Sequence, residues 1–560
     1  MMAKRLEGKI AIIFGAGSRG NGWGNGKAAA VLYAREGAKV FAVDINSKAV
    51  EDTASIIEKE GGEIECGIAD VTDSASVFNI VEKCISRFGR IDILHNNVGA
   101  AALGDPVEMK IDTWKKNMAV NIDSAFITNK HVLPVIAKGG GGAVVNVSSI
   151  AGIKNLERSI VAYQAGKAAL IQLSRSVASQ WARHGVRSNC ILPGLMATPL
   201  VIDRINGMYE TPKSRAAALD ERNRMIPVGY MGDAWDTAWA AVFLASEEAK
   251  YITATELVVD GGITAGRPLD WRKPRKGAVI KVPSPEVRAK PHRGGRLDGK
   301  IAVVVGAGSL GPGMGNGKAS ALLMAREGAK IFAVDQNLEA VQETKALIIS
   351  EAGNCEIFKA DATSPKEVEA MIAKCQETFG QINILHNNVG GSAGQEGPLN
   401  MDVDTWCNNV LFNVKPSFLA SRAVIPIMER QGGGSIIHTA STSGISVPEH
   451  PMNSYQTGKG GLIRFSRGLA LEFARRGIRS NCVIPGKIHT PMAEVRQGER
   501  SENPETMEKV FERRAKSVPL GRMGEAIDVA QAVSYLASDQ SRYVTASEII
   551  VDGGLTSNCC

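Results

Sequence analysis

Residues 10–30 read IAIIFGAGSRGNGWGNGKAAA, and residues 301–321 read IAVVVGAGSLGPGMGNGKASA. In each, a short, wholly apolar run gives way to a glycine-rich loop and then to an alanine-rich stretch. That is the order of a buried strand, a tight turn and a helix. Working outward, the two copies stay in step. AREGAKVFAVD at Ala34–Asp44 returns as AREGAKIFAVD at Ala325–Asp335, and ILHNNVG at Ile93–Gly99 returns unchanged at Ile384–Gly390, all 291 residues on. After one inserted residue the offset is 292. It then joins Tyr163-Gln-Ala-Gly-Lys167 to Tyr455-Gln-Thr-Gly-Lys459, and RSNCILPG at Arg187–Gly194 to RSNCVIPG at Arg479–Gly486. A period of this length is a whole domain, not a solenoid repeat.

Within the first copy, apolar runs at Ile10–Phe14, Lys39–Val43, Glu63–Ile68, Ile91–His95, Ala143–Val147, Val186–Leu192 and Glu256–Val259 alternate with helical stretches. One such stretch is Gly26–Glu36, closed by Gly37. Strands apolar throughout are covered on both faces, and strand–helix alternation builds a doubly wound parallel sheet. Each copy is therefore expected to be an α/β, Rossmann-type domain with a mainly parallel sheet of about seven strands flanked by helices. The expected division is an N-terminal domain over 1–265, a basic Pro-rich linker over 266–295 and a C-terminal domain over 296–560.

With 22% charged and 44% hydrophobic residues in 560, the composition is that of a globular protein rather than a disordered or fibrous one. The net charge of +7 is local: Arg267–Arg293 holds nine Lys/Arg against Asp270 and Glu286, which alone gives +7. That segment lacks the aromatic interleaving of a nucleic-acid surface and reads as a solvated spacer. The start, MMAKRLEGK, has no signal-peptide core, and runs such as Ile10–Phe14 are too short to span a bilayer. Nine cysteines, without a C-x-x-C pair, fit reduced thiols rather than a disulfide framework or a zinc site. Cys559-Cys560 lacks the spacing of a prenylation signal and reads as a tail. A cytoplasmic protein without nucleic-acid, membrane or metal partners is expected.

Glycines after the first strand permit a tight turn and let backbone N–H groups approach a pyrophosphate at the next helix N-terminus. The candidates are Gly15, Gly20, Gly24 and Gly26, then Gly306, Gly311, Gly315 and Gly317. Asp44 ends the second strand eighteen residues past Gly26, and Asp335 holds the same place after Gly317. A carboxylate there accepts hydrogen bonds from ribose hydroxyls and repels a 2′-phosphate, so NAD is the expected cofactor in both copies. The competing role for Asp44 is a cap for the following helix. Gly15 and Gly24 stand nine residues apart, longer than the simplest fingerprint, so spacing does not assign individual phosphate contacts. Arg19 in this loop is replaced by Leu310 in the second copy.

Tyr163 and Lys167 stand at i and i+4 of a helical stretch, which puts both on one face. An ammonium beside a phenol stabilises the phenolate and is expected to lower the tyrosine pKa. Such a phenol exchanges a proton with a carbonyl or carbinol oxygen while hydride moves to or from a nicotinamide. Fourteen residues upstream stands Ser149, in NVSSIAG at a strand end; Ser441 stands fourteen before Tyr455, in HTASTSG. A hydroxyl there can hold the substrate oxygen.

The glycine-rich loop, NNVG, the serine-bearing strand, Y-x-x-x-K and the Pro-Gly segment occur in this order in both halves, and each half resembles the short-chain dehydrogenase/reductase family over nearly its whole length. The resemblance implies roles at matching positions. Asn121 and Asn413 match the asparagine that organises a proton-relay water. Ser149 and Ser441 match the serine that orients the reacting oxygen, Tyr163 and Tyr455 the general acid/base, and Lys167 and Lys459 the lysine that tunes it and holds the nicotinamide ribose. Asp70 and Val71, with Asp361 and Ala362, match residues near the adenine. Asn97 and Gly99, with Asn388 and Gly390, match the loop beside the adenosine ribose. Pro193, Gly194 and Thr198, with Pro485, Gly486 and Thr490, match the segment at the nicotinamide. Departures are the long glycine loop, the valine of NNVG, and His438 where the first copy has Asn146.

The segments after Pro-Gly, the family's usual lid, diverge: MYETPKSRAAALDERNR in one copy, RQGERSENPETMEKVFERR in the other. Glu449-His450, between serine and tyrosine in the second copy, reads as a polar rim, since no further ligand cluster accompanies it. The expected function is NAD-dependent interconversion of a secondary alcohol and a ketone, with small-molecule substrates and a Tyr-Lys-Ser site in each half. The alternative is a redox-neutral epimerase in which one half oxidises and the other reduces; an NAD-binding scaffold ranks third. From the family's habit of pairing through long helices, the fused copies are expected to form a pseudo-dimer, two chains then resembling a tetramer.

Overall fold

The structure, a computed structural model, describes residues 4–155, 159–267, 295–392, 399–447, 452–500 and 507–557. The chain divides into two compact units, one carrying the first seven strands and the other the rest. Most of the expected linker, and Glu449-His450, lie outside the described residues.

The first unit is a seven-stranded, wholly parallel sheet of β1 (Ile10–Phe14), β2 (Lys39–Asp44), β3 (Ile64–Ile68), β4 (Ile93–Asn96), β5 (Gly142–Val147), β6 (Val186–Pro193) and β7 (Glu256–Val259). Their order is β3-β2-β1-β4-β5-β6-β7. Every expected strand is present, with bounds within two residues. The order reverses beside β1, whose last residue Phe14 pairs with Val43 of β2 and Asn96 of β4. The crevice beyond the carboxyl ends of these strands is where such sheets bind ligands.

Helices cover both faces. α1 (Asn25–Arg35) begins at the glycine loop, and α2 (Ser47–Lys59) is capped by Asn46, whose side chain accepts from Ala49 N. α3 (Ser74–Phe88) starts on the Asp73 side chain and stops at Gly89, in the left-handed region at φ +83. α4 (Ile111–Met118) and α5 (Ser124–Lys138) are joined by one π-helical turn, Ala119–Asp123. α6 (Val161–Trp181) follows β5, and α7 (Pro199–Met208) and α8 (Pro212–Met225) form the lid before α9 (Ala234–Ala245). Val132, Leu133, Ile136 and Val177 join Phe14, Phe41 and Leu94 in the main core of this unit.

The second unit repeats the plan with β8 (Ile301–Val305), β9 (Lys330–Asp335), β10 (Cys355–Lys359), β11 (Ile384–Asn387), β12 (Gly434–Thr439) and β13 (Ile478–Pro485). Two short strands, β14 (Ile488–His489) and β15 (Gly524–Glu525), pair at the lid, and β16 (Glu548–Val551) completes the main sheet. Its order, β10-β9-β8-β11-β12-β13-β16, is that of the first unit. In place of α4, the π turn and α5 runs one helix, Val403–Arg430, the only one among the described residues long and apolar enough to cross a membrane. Half of its apolar window is buried, and Leu419, Val424, Ile425 and Met428 sit in the core against β8, β9, β11 and β12, as a sheet-covering helix requires.

Candidate active site

The ends of β4 and β5 and the first turn of α6 bring the expected residues together. Tyr163 is the third residue of α6 and Lys167 lies one turn on; the lysine Nζ stands 5.8 Å from the phenol ring centre. Tyr455 and Lys459 repeat the distance at 5.8 Å. Ser149 caps the short turn after β5, accepting from Ala151 N at 3.1 Å, and it stands beside the Tyr163 phenol, where its hydroxyl favours the phenolate. Ser441 makes the equivalent cap with Ser443 N at 3.2 Å. Lys167 is buried and donates to Val147 O at 2.9 Å and Val98 O at 3.4 Å; Lys459 donates to Thr439 O at 2.8 Å.

Asn121 sits in the π turn and holds the loop after β4. Its Nδ2 donates to Ala100 O at 2.7 Å and Asn117 O at 2.8 Å, while its Oδ1 accepts from Ala100 N at 3.3 Å. Asn413 holds Gly391 in the same way. Gly99 is wedged between these groups: a Cβ there would lie 2.8 Å from Lys167 Nζ and 3.0 Å from Asn121 Oδ1, and Gly390 is tighter still. The last glycine of NNVG is thus the space that lets lysine and asparagine approach.

One expectation is corrected. Burial pushes the Tyr163 phenol upward, and the Ser149 hydroxyl and the Arg204 charge oppose that push without overcoming it. Burial also brings the Lys167 ammonium down, to about 8. Desolvation of the half-buried phenol and of the buried ammonium outweighs the help that neighbouring polar and charged groups give the phenolate.

The glycine loop is a built cradle. Gly15 takes φ +82, and Asn97 Nδ2 donates to its carbonyl at 3.0 Å; Asn388 does the same to Gly306 at 3.2 Å. A Cβ on Gly26 or Gly317 would stand 1.8 Å from the Gly15 or Gly306 carbonyl oxygen, so only glycine lets the helix descend onto the strand end. Gly24 and Gly315 are N-caps without a side-chain cap, which leaves first-turn N–H groups for an anion. Gly20 at φ +62 and Gly22 at φ +128 extend the loop toward the lid, where a Cβ on Gly22 would meet Pro199 Cγ at 3.0 Å; Gly311 has no positive φ.

Asp44 is not the helix cap; Asn46 is. The Asp44 carboxylate instead accepts from Gly17 N at 2.9 Å and Asn46 N at 3.1 Å, and Asp335 from Gly308 N at 2.8 Å and Asn337 N at 3.0 Å. Gly17 and Gly308 were missed by spacing, though a Cβ there would press on the carboxylate at 2.9 and 3.0 Å. Asp70 turns into its own turn, accepting from Thr72 N and Oγ1, which holds its carboxyl below the usual range; the Asp361 carboxylate accepts from Thr363 N and Oγ1. Val71 and Ala362 beside them are buried. Pro193 ends β6, Gly194 N donates to Val259 O at 3.0 Å, and Gly486 N to Val551 O at 3.0 Å after Pro485. A Cβ on either glycine would run into Asp260 or Asp552, buried carboxylates that spacing did not single out and that pin the turns after β7 and β16. Thr198 is the N-cap of α7 and Thr490 immediately precedes the helix Pro491–Arg500. A separate cavity lined by Phe14, Val71, Asn96, Val98, Asn121 and Thr128, among others, touches none of Ser149, Tyr163 or α7.

The model describing enoyl-(acyl carrier protein) reductases matches residues 20–264 and again 312–556. The chain belongs to the short-chain dehydrogenase/reductase family, as a tandem fusion of two of its units. It is 27% identical, over 98% of its length and 93% of the relative's, to an uncharacterised short-chain type dehydrogenase/reductase of Sinorhizobium fredii. It is also 37% identical to a 2,5-dichloro-2,5-cyclohexadiene-1,4-diol dehydrogenase of Sphingobium indicum, over 47% of this chain and 100% of that enzyme. Among solved structures, a short-chain dehydrogenase/reductase from Burkholderia xenovorans aligns at 45% identity and TM-score 0.45, covering 47% of this chain and 99% of that one. The chain is an oxidoreductase of a family that binds nicotinamide cofactors, and the glycine cradles and uncapped helix N-termini fit such a group.

Proposed function

We propose that both units are NAD-dependent oxidoreductases interconverting a secondary alcohol and a ketone. The observation that carries this is Tyr163 with Lys167 one turn away, Nζ 5.8 Å from the ring, beside the Ser149 turn, a geometry that Tyr455, Lys459 and Ser441 repeat. A bound nicotinamide supplies hydride to the carbonyl carbon, or takes it from the carbinol carbon. Tyr163 gives its phenolic proton to the oxygen during reduction and takes it back during oxidation. Ser149 holds that oxygen, and Lys167, fixed by Val147 O and Val98 O, would hold the cofactor ribose with its remaining donor. Asn121 anchors the loop that keeps lysine in place. Asp44 and Asp335, seated at the ends of β2 and β9, favour two ribose hydroxyls over a 2′-phosphate. The diol dehydrogenase among the relatives acts on carbinols, which agrees with this chemistry.

The test is a panel of secondary alcohols with NAD⁺ or NADP⁺ and ketones with NADH or NADPH, on the wild type, Tyr163→Phe, Tyr455→Phe and the double variant. NAD-linked turnover that the double variant lacks is expected; turnover that survives in it sinks the proposal. The divergent lids support a second reading, an epimerase. It would racemise a carbinol with catalytic NAD⁺ and stop on either single Tyr→Phe change, whereas two independent sites would each lose only their own share.

A further inference from the structure

Arg204 lies on α7, six residues after Thr198, and the chemistry above does not use it. Its guanidinium reaches across to donate to Ala101 O at 3.2 Å, two residues beyond Gly99. Its charge also acts on the half-buried Tyr163 phenol and opposes the upward push of desolvation there. A cation therefore bridges the lid and the loop after β4, beside the group that handles the proton. Among the described residues no carboxylate pairs with it, whereas Arg224 on α8 is paired with Asp220. Its neighbour Asp203 is turned elsewhere: its Oδ2 would lie 4.0 Å from a Cβ on Gly20.

The second unit supplies an independent observation. α7 reads PLVIDRINGM and its counterpart reads PMAEVRQGER; in these ten positions only the proline and the arginine coincide. Two lids that otherwise diverged keep a cation six residues past the threonine, at Arg204 and Arg496. An arginine needed only for solubility has no reason to hold that register.

Resting on the oxidoreductase function above, we propose that Arg204 is a specificity residue that binds a carboxylate of the substrate, so that the first site takes hydroxy acids and oxo acids. A guanidinium with one donor on a carbonyl still offers a fork to a carboxylate, and such charge-assisted pairs are roughly twice as strong as neutral hydrogen bonds. The anion would also be held at the mouth of the site, with the carbonyl turned inward to Ser149 and Tyr163.

The experiment uses the full-length Tyr455→Phe protein, which isolates the first site, with acetoacetate and levulinate against their methyl esters. Reduction by NADH is followed in parallel with titration of the NADH-bound protein by nicotinamide fluorescence. The acids are expected to exceed the esters about tenfold in kcat/KM, and Arg204→Gln to raise KM for the acids about tenfold with little change in kcat. Arg204→Lys should recover part of that loss. The KM of the esters, which carry no charge for Arg204 to bind, and the NADH dissociation constant should be unmoved, while any change in kcat through Tyr163 should be shared by acids and esters. Esters preferred to acids, an equal rise in KM for both, or weakened NADH binding would overturn the carboxylate role while leaving the oxidoreductase function standing. If no ketone in the panel is reduced and NADH fluorescence does not respond, the oxidoreductase function itself falls, and this role with it.

Discussion

At the scale of single residues, the buried lysine sets the terms. Lys167 is 2% exposed and its ammonium is brought down to about 8 by burial, so at neutral pH the fold holds a charge in a place that disfavours it. The unfolded lysine keeps its proton up to its ordinary pKa, so this group makes stability rise with pH between about 8 and 10.4 and adds a constant penalty below 8. Lys167→Met should therefore abolish turnover at the first site while leaving the unit as stable or about 1 kcal/mol more stable, the lost bonds to Val147 O and Val98 O offsetting much of the relief. Thermal melts beside activity assays decide it; a loss of several kcal/mol would show that lysine also supports the fold. Because burial pushes the Tyr163 phenol upward, the base form is scarce at neutral pH. Alcohol oxidation by this site should climb about tenfold per pH unit from roughly pH 7 toward 10, and ketone reduction should fall only at the alkaline end. A pH–rate profile flat across that range would refute it. That Ser149, Tyr163, Lys167 and Asn121 come together was legible because their order and spacing put them at adjoining strand ends and on one helix face. The pKa directions were not, since they depend on burial that no local pattern states.

Among elements, the strand-to-helix turn at β1–α1 is the most constrained. A Cβ on Gly26 would overlap the Gly15 carbonyl oxygen, and Thr53 on α2 grips the same loop by donating to Ala16 O at 3.0 Å. Gly26→Ala has to lift α1 off the strand end, so it should cost roughly 3 kcal/mol or more and weaken NADH binding at the first site by at least about tenfold. Calorimetry with NADH titration checks both, and a neutral substitution would mean that the helix shifts freely. Strands such as Ile10–Phe14 could be read from sequence because burial on both faces writes an unbroken apolar run. The π turn at Ala119–Asp123 could not, because it replaces one hydrogen-bond pattern by another without changing the apolar period. Nor could the role of Gly17, which depends on a carboxylate twenty-seven residues away coming back to its N–H.

For the molecule as a whole, duplication gave two units of one plan whose interiors are not equally satisfied. In the first, Asn96 donates to Asn146 at 2.9 Å and accepts from Thr128 at 2.8 Å, and Asn146 continues to Ser188 and Ser174. In the second, Ala420 stands where Thr128 stood and His438 where Asn146 stood. Asn387 still meets His438 at 3.2 Å, but among the described residues Asn387 Oδ1 and His438 Nε2 are buried without a partner. Burial brings His438 and His386 down to about 3, against His95 alone in the first unit. Their unfolded forms take a proton near pH 6.5, so each histidine removes roughly 1.4 kcal/mol per pH unit as pH falls below that, until its folded pKa is reached. The second unit, with two, should lose stability twice as steeply from this source. Scanning calorimetry at pH 7.5 and 5.5 should then show a transition that separates and moves down on acidification. His438→Asn with Ala420→Thr, which rebuilds the first unit's network, should bring it back toward the other. Transitions that move together at both pH values, or a double substitution without effect at pH 5.5, would show that these buried histidines do not set the acid limit of the second unit.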